Sequence, residues 1–244
     1  MTQVRHPRHI EAVDSIAELP LGPGGGDRRF ADRRDAGRRL AALLDRLRHE
    51  SPVVVGIPRG GVPVAAEVAR ALGAPLDVVL VRKIGAPRNP EYGIGALAEN
   101  DVLVIDEESV RRLRLSPAEL DAVVERARRE LAERSASRYA KRPRLAVAGR
   151  TVLLVDDGLA TGHSAQAAAC SLRERGAARV ILAVPVAAPA SAHELRQWVD
   201  GVVCVQTPAE LWAIGLWYED FSPTSEEEVA ALLAEHSGGF TSDA

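Results

Sequence analysis

The sequence predicts an α/β protein in which a parallel β-sheet carries helices on both faces. Short, unbroken aliphatic runs alternate along the chain with longer stretches of helical periodicity, and such runs are typical of strands covered on both faces. Strands that alternate with helices join into a parallel sheet. The predicted strands lie at 52–57, 76–81, 102–105, 152–155, 179–184 and 202–205. The predicted helices lie at 32–48, 63–72, 116–136, 163–175 and 190–198.

Local signals mark the ends of several predicted helices. The helix at 32–48 begins the pattern and places its leucines on one face. The segment 116–119, Ser-Pro-Ala-Glu, combines a capping box with a proline at the first helical position. Gly176 ends the helix at 163–175. Ser225, followed by three glutamates, predicts the start of a C-terminal helix.

The composition divides the chain into three parts. Residues 1–27 end in a glycine-rich run and are interpreted as a flexible leader or a hood element. Residues 28–222 contain the alternating strands and helices and form the main domain. Residues 223–244 form a C-terminal helix and tail.

The overall composition indicates a water-soluble protein and gives no electrostatic argument for nucleic acid binding. The 244 residues are 46% hydrophobic and carry a net charge of −3, and no apolar run reaches membrane-spanning length. Arginine clusters at 28–39 and 126–144 are mixed with acids, which favours solvated helix faces. The first residues contain no apolar signal core, so we expect a cytoplasmic protein. Cys170 and Cys204 lack metal-ligand spacing and are expected to be reduced core residues.

The most informative segment is 151–164, which reads TVLLVDDGLATGHS. Its strand ends in two carboxylates, Asp156 and Asp157, at the edge where open α/β sheets bind ligands. Small residues follow, and a helix that begins near His163 directs free N–H groups toward the same place. Carboxylates suited to sugar hydroxyls, beside amides suited to a phosphate, predict a site for a ribose 5-phosphate.

A second segment has similar chemistry. The apolar strand 52–57 is followed by Pro58-Arg59-Gly60-Gly61 and a helix. Two glycines permit a backbone geometry with exposed N–H groups, and the forked guanidinium of Arg59 fits phosphate oxygens. Taken alone, such glycines also mark an ordinary tight turn.

A third segment, 80–96, reads LVRKIGAPRNPEYGIGA. Its glycines and prolines predict an irregular loop, and long loops in compact domains are often active-site lids. It carries Arg82, Lys83 and Arg88. The alternative is a solvated surface loop whose cations are incidental.

Together these segments resemble the type I phosphoribosyltransferase family, over most of residues 30–222. Segment 151–164 resembles the family's motif for 5-phosphoribosyl 1-pyrophosphate (PRPP), Pro58–Gly61 its pyrophosphate loop, and 80–96 its flexible lid. The resemblance implies a Rossmann-like five-stranded parallel sheet with flanking helices and a small hood. The whole pattern also resembles a bacterial subgroup of predicted phosphoribosyltransferases whose acceptor is unassigned. This pattern includes the Asp32-Arg33 start, Pro58–Gly61, the Val-Arg-Lys entry to the lid at 81–83, and the segment 156–162.

The resemblance also implies residue roles. It assigns the ribose hydroxyls to Asp156 and Asp157. It assigns the 5-phosphate to Ala160, Thr161, Gly162, His163 and Ser164. It assigns the pyrophosphate to Arg59, Gly60, Gly61, Arg82 and Lys83. It assigns catalysis to Arg82, Lys83 and Asp157, whose charges stabilise the charges that develop as pyrophosphate leaves.

The implied reaction is transfer of the 5-phosphoribosyl group from PRPP to a small-molecule nitrogen acceptor, a nucleobase being one option, with release of pyrophosphate. Mg²⁺ is expected to arrive with PRPP and to be held largely by substrate oxygens and water, with Asp156 and Asp157 as protein oxygens within reach. Homodimers are common in the family, so the resemblance also allows a homodimer.

Two positions depart from relatives. Purine-salvage members carry an acid where this chain has Ala160, which favours an acceptor that needs no base there. His163 replaces a usual small residue or lysine; it either contacts the 5-phosphate when protonated or caps the helix. In the hood segment, Trp212, Trp217 and Tyr218 either stack on the acceptor or pack the hood onto the sheet, and we favour packing.

Two other functions fit parts of the sequence. One is a PRPP- or nucleotide-binding regulatory protein without turnover, which the cations of the lid segment disfavour. The other is a serine hydrolase, because Gly162-His163-Ser164 resembles half of a nucleophile elbow. That elbow requires G-x-S-x-G directly after a strand, and here Gln166 replaces the final glycine.

Overall fold

The computed structural model describes residues 29–136 and 142–236. The predicted leader at 1–27 and the last residues of the predicted tail lie outside these ranges. The helices are α1 Arg33–Leu44, α2 Gly61–Leu72, α3 Glu107–Arg112, α4 Pro117–Ser135, α5 His163–Glu174, α6 Pro189–Leu195 and α7 Glu226–Glu235. The strands are β1 Val53–Gly56, β2 Leu76–Val78, β3 Val81–Ala86, β4 Asn89–Ala98, β5 Val102–Ile105, β6 Thr151–Val155, β7 Arg179–Val186 and β8 Gly201–Gln206.

The predicted five-stranded parallel sheet is confirmed. Its order is β2-β1-β6-β7-β8, and every neighbouring pair in it is parallel. Leu153 in β6 packs with α1, α2 and α7 on one face, whereas Leu154 packs with α5 and α6 on the other. The sheet is therefore covered on both faces, which explains why its strands are unbroken aliphatic runs.

The prediction of an irregular loop at 80–96 is wrong. This segment forms most of an antiparallel hairpin, β3 and β4, which β5 extends into a separate three-stranded sheet. The glycines stand where strands pair closely: a Cβ on Gly85 would lie 2.0 Å from the Pro90 carbonyl oxygen, and one on Gly95 would lie 2.2 Å from that of Val104. The pairing shifts register on both sides of Gly85, so this glycine permits a bulge rather than ending the strand.

Several predicted boundaries also change. The helix predicted at 32–48 is α-helical to Leu44 and continues as a 3₁₀ helix, Asp45–Glu50. The strand predicted at 76–81 is divided: residues 76–78 form β2, at the edge of the parallel sheet, and Val81 begins β3 of the hairpin. The helix predicted at 190–198 ends at Leu195.

Capping and close packing set the helices in place. Asp32 caps α1 by accepting a hydrogen bond from the Asp35 amide at 2.7 Å. The predicted capping box of Ser116 and Glu119 is present at the start of α4. In α1, a Cβ on Gly37 would lie 2.7 Å from the Val64 carbonyl oxygen of α2, so only glycine allows these helices to approach this closely. Across the described ranges, every helix is too short or too polar to cross a membrane.

Candidate active site

The two acids after β6 lie at the carboxyl edge of the parallel sheet and have different environments. The Asp157 amide donates to Asp156 Oδ1 at 2.9 Å, and Arg33 Nε donates to Asp157 Oδ2 at 2.9 Å. Burial, and then the charge of Asp157, raises the pKa of Asp156 to about 8, while Lys83 and Arg33 act in the opposite direction. Asp157 is therefore paired with a cation, whereas Asp156 is poised to hold a proton near neutral pH.

The Pro58–Gly61 loop lies directly against these acids. The Ile57 amide donates to the Val155 carbonyl at 2.9 Å, which joins the ends of β1 and β6, and the Pro58–Arg59 peptide bond is cis. A Cβ on Gly60 would lie 2.0 Å from Asp157 Oδ2, and one on Gly61 would lie 2.8 Å from the Val155 carbonyl oxygen. Both glycines are thus required by contact with the acid segment, not by an ordinary tight turn.

The loop before α5 is anchored to β7 and α6. The Leu159 amide donates to the Val186 carbonyl at 2.8 Å, and the Ser191 hydroxyl donates to the Ala160 carbonyl. Gly162, with φ +84°, is the N-cap of α5 and supplies no side-chain cap. The first N–H groups of α5 have no partner within the helix and are suited to an anion.

His163 is the first residue of α5, so the interpretation of its side chain as the helix cap is wrong. Its Nδ1 is buried and makes no hydrogen bond within the described residues. Burial lowers the pKa of His163, while Asp106 and Glu194 act in the opposite direction. A neutral imidazole at neutral pH follows, which weakens the alternative of a protonated phosphate contact.

The hairpin gives the two cations predicted for pyrophosphate different surroundings, although both line the same cavity. Arg82 forms an ion pair with Glu130 of α4. Lys83 is exposed, and its charge acts on both Asp156 and His163. Arg88, at the hairpin turn, is 90% exposed and lies 3.6 Å from Glu119, so it contacts the start of α4 instead of the acid pair.

Seven of the predicted site residues line one cavity of about 260 Å³. The described residues that line it are Ile57, Pro58, Arg59, Gly60, Val81, Arg82, Lys83, Arg134, Asp156, Asp157, Gly158, Ser164 and Ile214. Thr161, Gly162 and His163 instead line a neighbouring cavity of about 780 Å³, together with acidic residues of α3 and α6. The predicted ribose and pyrophosphate residues are thus brought together, and the predicted 5-phosphate loop lies between two cavities.

The hood segment packs over the acids through Tyr218. This side chain is 3% exposed, its hydroxyl donates to the Asp157 carbonyl at 2.6 Å, and its ring lies between those of Phe30 and Phe221. Trp217 packs against the same cluster. Trp212 is 83% exposed. The packing interpretation therefore fits Tyr218 and Trp217, and neither they nor Trp212 lines the cavity that holds the acids.

Three residues at the site escaped the sequence prediction of roles. Arg33 pairs with Asp157 across 124 positions and lies 3.9 Å over the Phe221 ring. Arg134 and Ile214 line the cavity from α4 and from the hood. Their separation in sequence leaves no local spacing to detect, although the Asp32-Arg33 pair did contribute to the family resemblance.

Comparison with known proteins identifies the family. The model of the phosphoribosyl transferase domain matches residues 31–220. The chain belongs to this family. Proteins of two Mycobacterium tuberculosis strains, each named "Putative phosphoribosyl transferase", are 46% identical over 205 residues, covering 84% of this chain and 46% of theirs. The chain thus spans less than half the length of these curated relatives.

A solved structure of the protein TT1426 from Thermus thermophilus is also similar. It is 45% identical, with a TM-score of 0.72, and the match covers 86% of this chain and all of that one. The TM-score shows that the two chains share their overall fold. The hydrolase alternative finds no structural support, because Ser164 lies inside α5 and not in the turn directly after β6.

Proposed function

We propose that this phosphoribosyl transferase domain transfers the 5-phosphoribosyl group of PRPP to a nitrogen acceptor and releases pyrophosphate. The observation that carries the proposal is one cavity lined by Asp156 and Asp157 together with Arg59 and Lys83. Carboxylates suit ribose hydroxyls, and cations beside glycine amides suit a polyphosphate. PRPP carries both kinds of group on a single sugar.

The proposed binding mode follows the three segments. Asp156 and Asp157 accept hydrogen bonds from the ribose hydroxyls. The first turn of α5, with residues 160–164, binds the 5-phosphate through its N–H groups. Arg59–Gly61 with Arg82 and Lys83 bind the pyrophosphate, for which Arg82 must leave Glu130.

In the proposed reaction, the bond between C1 and the pyrophosphate oxygen breaks, and the acceptor nitrogen forms the new bond to C1. Positive charge grows on the ribose as in glycosyl transfer. Asp157 faces that charge, and Lys83 and Arg82 stabilise the negative charge on the leaving pyrophosphate. The acceptor gives its proton to solvent or to another group, since Ala160 supplies no base.

The donor set fits a magnesium ion that arrives with its substrate. The described residues contain no cluster of three or more side chains able to hold a metal. Arg33 binds Asp157 Oδ2, so the other oxygen of Asp157 is the ionised carboxylate oxygen that such an ion would contact, and Asp156 would contact it after losing its proton. When bound, Mg²⁺ would neutralise part of the pyrophosphate charge.

Calorimetric titration with PRPP and Mg²⁺ tests this function, followed by a screen for pyrophosphate release over free bases and small amines. We expect saturable binding and release with one acceptor. The double variant Asp156→Asn, Asp157→Ala should bind PRPP at least about tenfold more weakly while remaining folded. PRPP binding without release for any acceptor would favour a regulatory protein. No binding to the parent protein would refute the proposal.

A further inference from the structure

Helix α4 contributes one wall of the cavity that contains the two acids. Its buried residues Val124, Ala127 and Leu131 pack against the hairpin. Glu130 and Arg134 lie one turn apart, and Arg134 follows Leu131 by three positions, so both share this inward face. The face thus changes from apolar to charged where α4 reaches the cavity.

Arg134 is half-buried and lines the cavity. Its guanidinium makes no hydrogen bond or ion pair with any residue in the described ranges, whereas Arg128, earlier on the same helix, is bound by Asp101 and Glu125. Partial burial of a guanidinium favours an anion beside it, and a ligand in the cavity would supply that anion.

Arg82 is also incompletely satisfied. Its Nε forms the ion pair with Glu130, yet this buried N–H is not aligned with an acceptor and makes no hydrogen bond within the described residues. Buried donors in folded proteins are nearly always hydrogen-bonded. Glu130 therefore balances the charge of Arg82, and the Arg82 side chain also lines the cavity.

The charges around the cavity favour a ligand with several negative charges. The described side chains that line it include four cations, Arg59, Arg82, Lys83 and Arg134, against the two acids. Arg33, which does not line the cavity, already pairs with Asp157. The excess of positive charge is larger than a single phosphate monoanion would balance.

We propose that Arg134 binds the pyrophosphate group, and that Glu130 is the counter-ion that Arg82 leaves when this group arrives. This rests on the proposed function, because it assigns the pyrophosphate end of the PRPP site. Arg134 would then contact the ligand directly, whereas Glu130 would hold Arg82 until the ligand arrives.

Titration with magnesium pyrophosphate and, separately, with ribose 5-phosphate tests the assignment. Arg134→Gln should weaken pyrophosphate binding about tenfold, the effect of losing a charge-assisted hydrogen bond, and leave ribose 5-phosphate binding within about twofold. Arg129→Gln removes the same charge from an exposed position on α4 and should bind both ligands like the parent. Glu130→Gln should bind pyrophosphate several-fold more tightly, because Arg82 is no longer held.

The outcomes separate this inference from the proposed function. If the parent protein binds neither ligand, the proposed function fails. If the parent binds pyrophosphate and Arg134→Gln binds it equally well, the inference fails. The inference would also fail if Arg134→Gln lowered the affinity for both ligands equally. It would fail likewise if Arg129→Gln lowered the pyrophosphate affinity as much as Arg134→Gln does. Thermal unfolding of each variant shows whether it is folded, and Glu130→Gln provides an independent change of opposite sign.

Discussion

Replacing Gly60 by alanine tests the contact between the glycine loop and the acid pair. The added Cβ would lie 2.0 Å from Asp157 Oδ2 and 2.8 Å from Asp157 Cγ, and 3.2 Å from Arg33 Nε. An ordinary contact begins near 3.4 Å, so the carboxylate must move by more than about 1 Å, which is far enough to break a hydrogen bond of ordinary length. Its hydrogen bond with Arg33 would be lost as well.

The assay is calorimetric titration of Gly60→Ala with PRPP and Mg²⁺. We expect PRPP affinity to fall about tenfold or more, as when a charge-assisted hydrogen bond is lost, with secondary structure unchanged by circular dichroism. Gly73→Ala is the matched control: the new Cβ meets nothing within 4 Å, but φ is +64°, so this variant loses stability without a clash at the site. PRPP affinity within about threefold of the parent in Gly60→Ala would refute the argument that Asp157 is held in place against Gly60.

Three further changes probe proton binding and packing. The pKa of Asp156 is raised from 3.8 to about 8, so between these two pH values the folded state keeps a proton that the unfolded state releases. The free energy of unfolding should therefore fall as the pH rises through this range, by at most about 1.4 kcal/mol per pH unit. In Asp156→Asn, the free energy of unfolding measured by urea titration should depend less on pH. If its plot against pH were parallel to that of the parent, this prediction would be contradicted. Tyr218→Phe removes the hydrogen bond to the Asp157 carbonyl and should cost about 1 kcal/mol of unfolding free energy; unchanged stability would show that the bond contributes nothing. Gly37→Ala places a Cβ 2.7 Å from the Val64 carbonyl oxygen and should lower unfolding free energy by about 1–3 kcal/mol, whereas a stable variant would mean that the helices separate easily.

The central sheet was predictable because its signals are local. Unbroken aliphatic runs identified its strands, and the capping box identified the start of α4. The hairpin was not predictable by the same means. Glycines such as Gly85 and Gly95 normally indicate a loop. Their role becomes clear only in the structure, where the carbonyl oxygens of Pro90 and Val104 lie against them. Those oxygens belong to a partner strand, which residue composition does not reveal.

The site was predictable where each motif is continuous in sequence. Segment 151–164 and the Pro58–Gly61 loop each carry recognisable chemistry, and the sheet brings them to a common edge. The different environments of Asp156 and Asp157 were not predictable, because they depend on burial and on Arg33.

The sequence by itself determined the parallel sheet, the family resemblance, and the identity of the acids and glycines at the carboxyl edge. Only the tertiary structure decided how the cations at the cavity are paired: Arg82 lines the cavity and is paired with Glu130, whereas Arg134 lines it with no partner among the described residues. The physical reason is that a residue type and its local spacing determine secondary structure and chemical capacity. Counter-ions and burial depend on side chains that the fold brings together from distant positions.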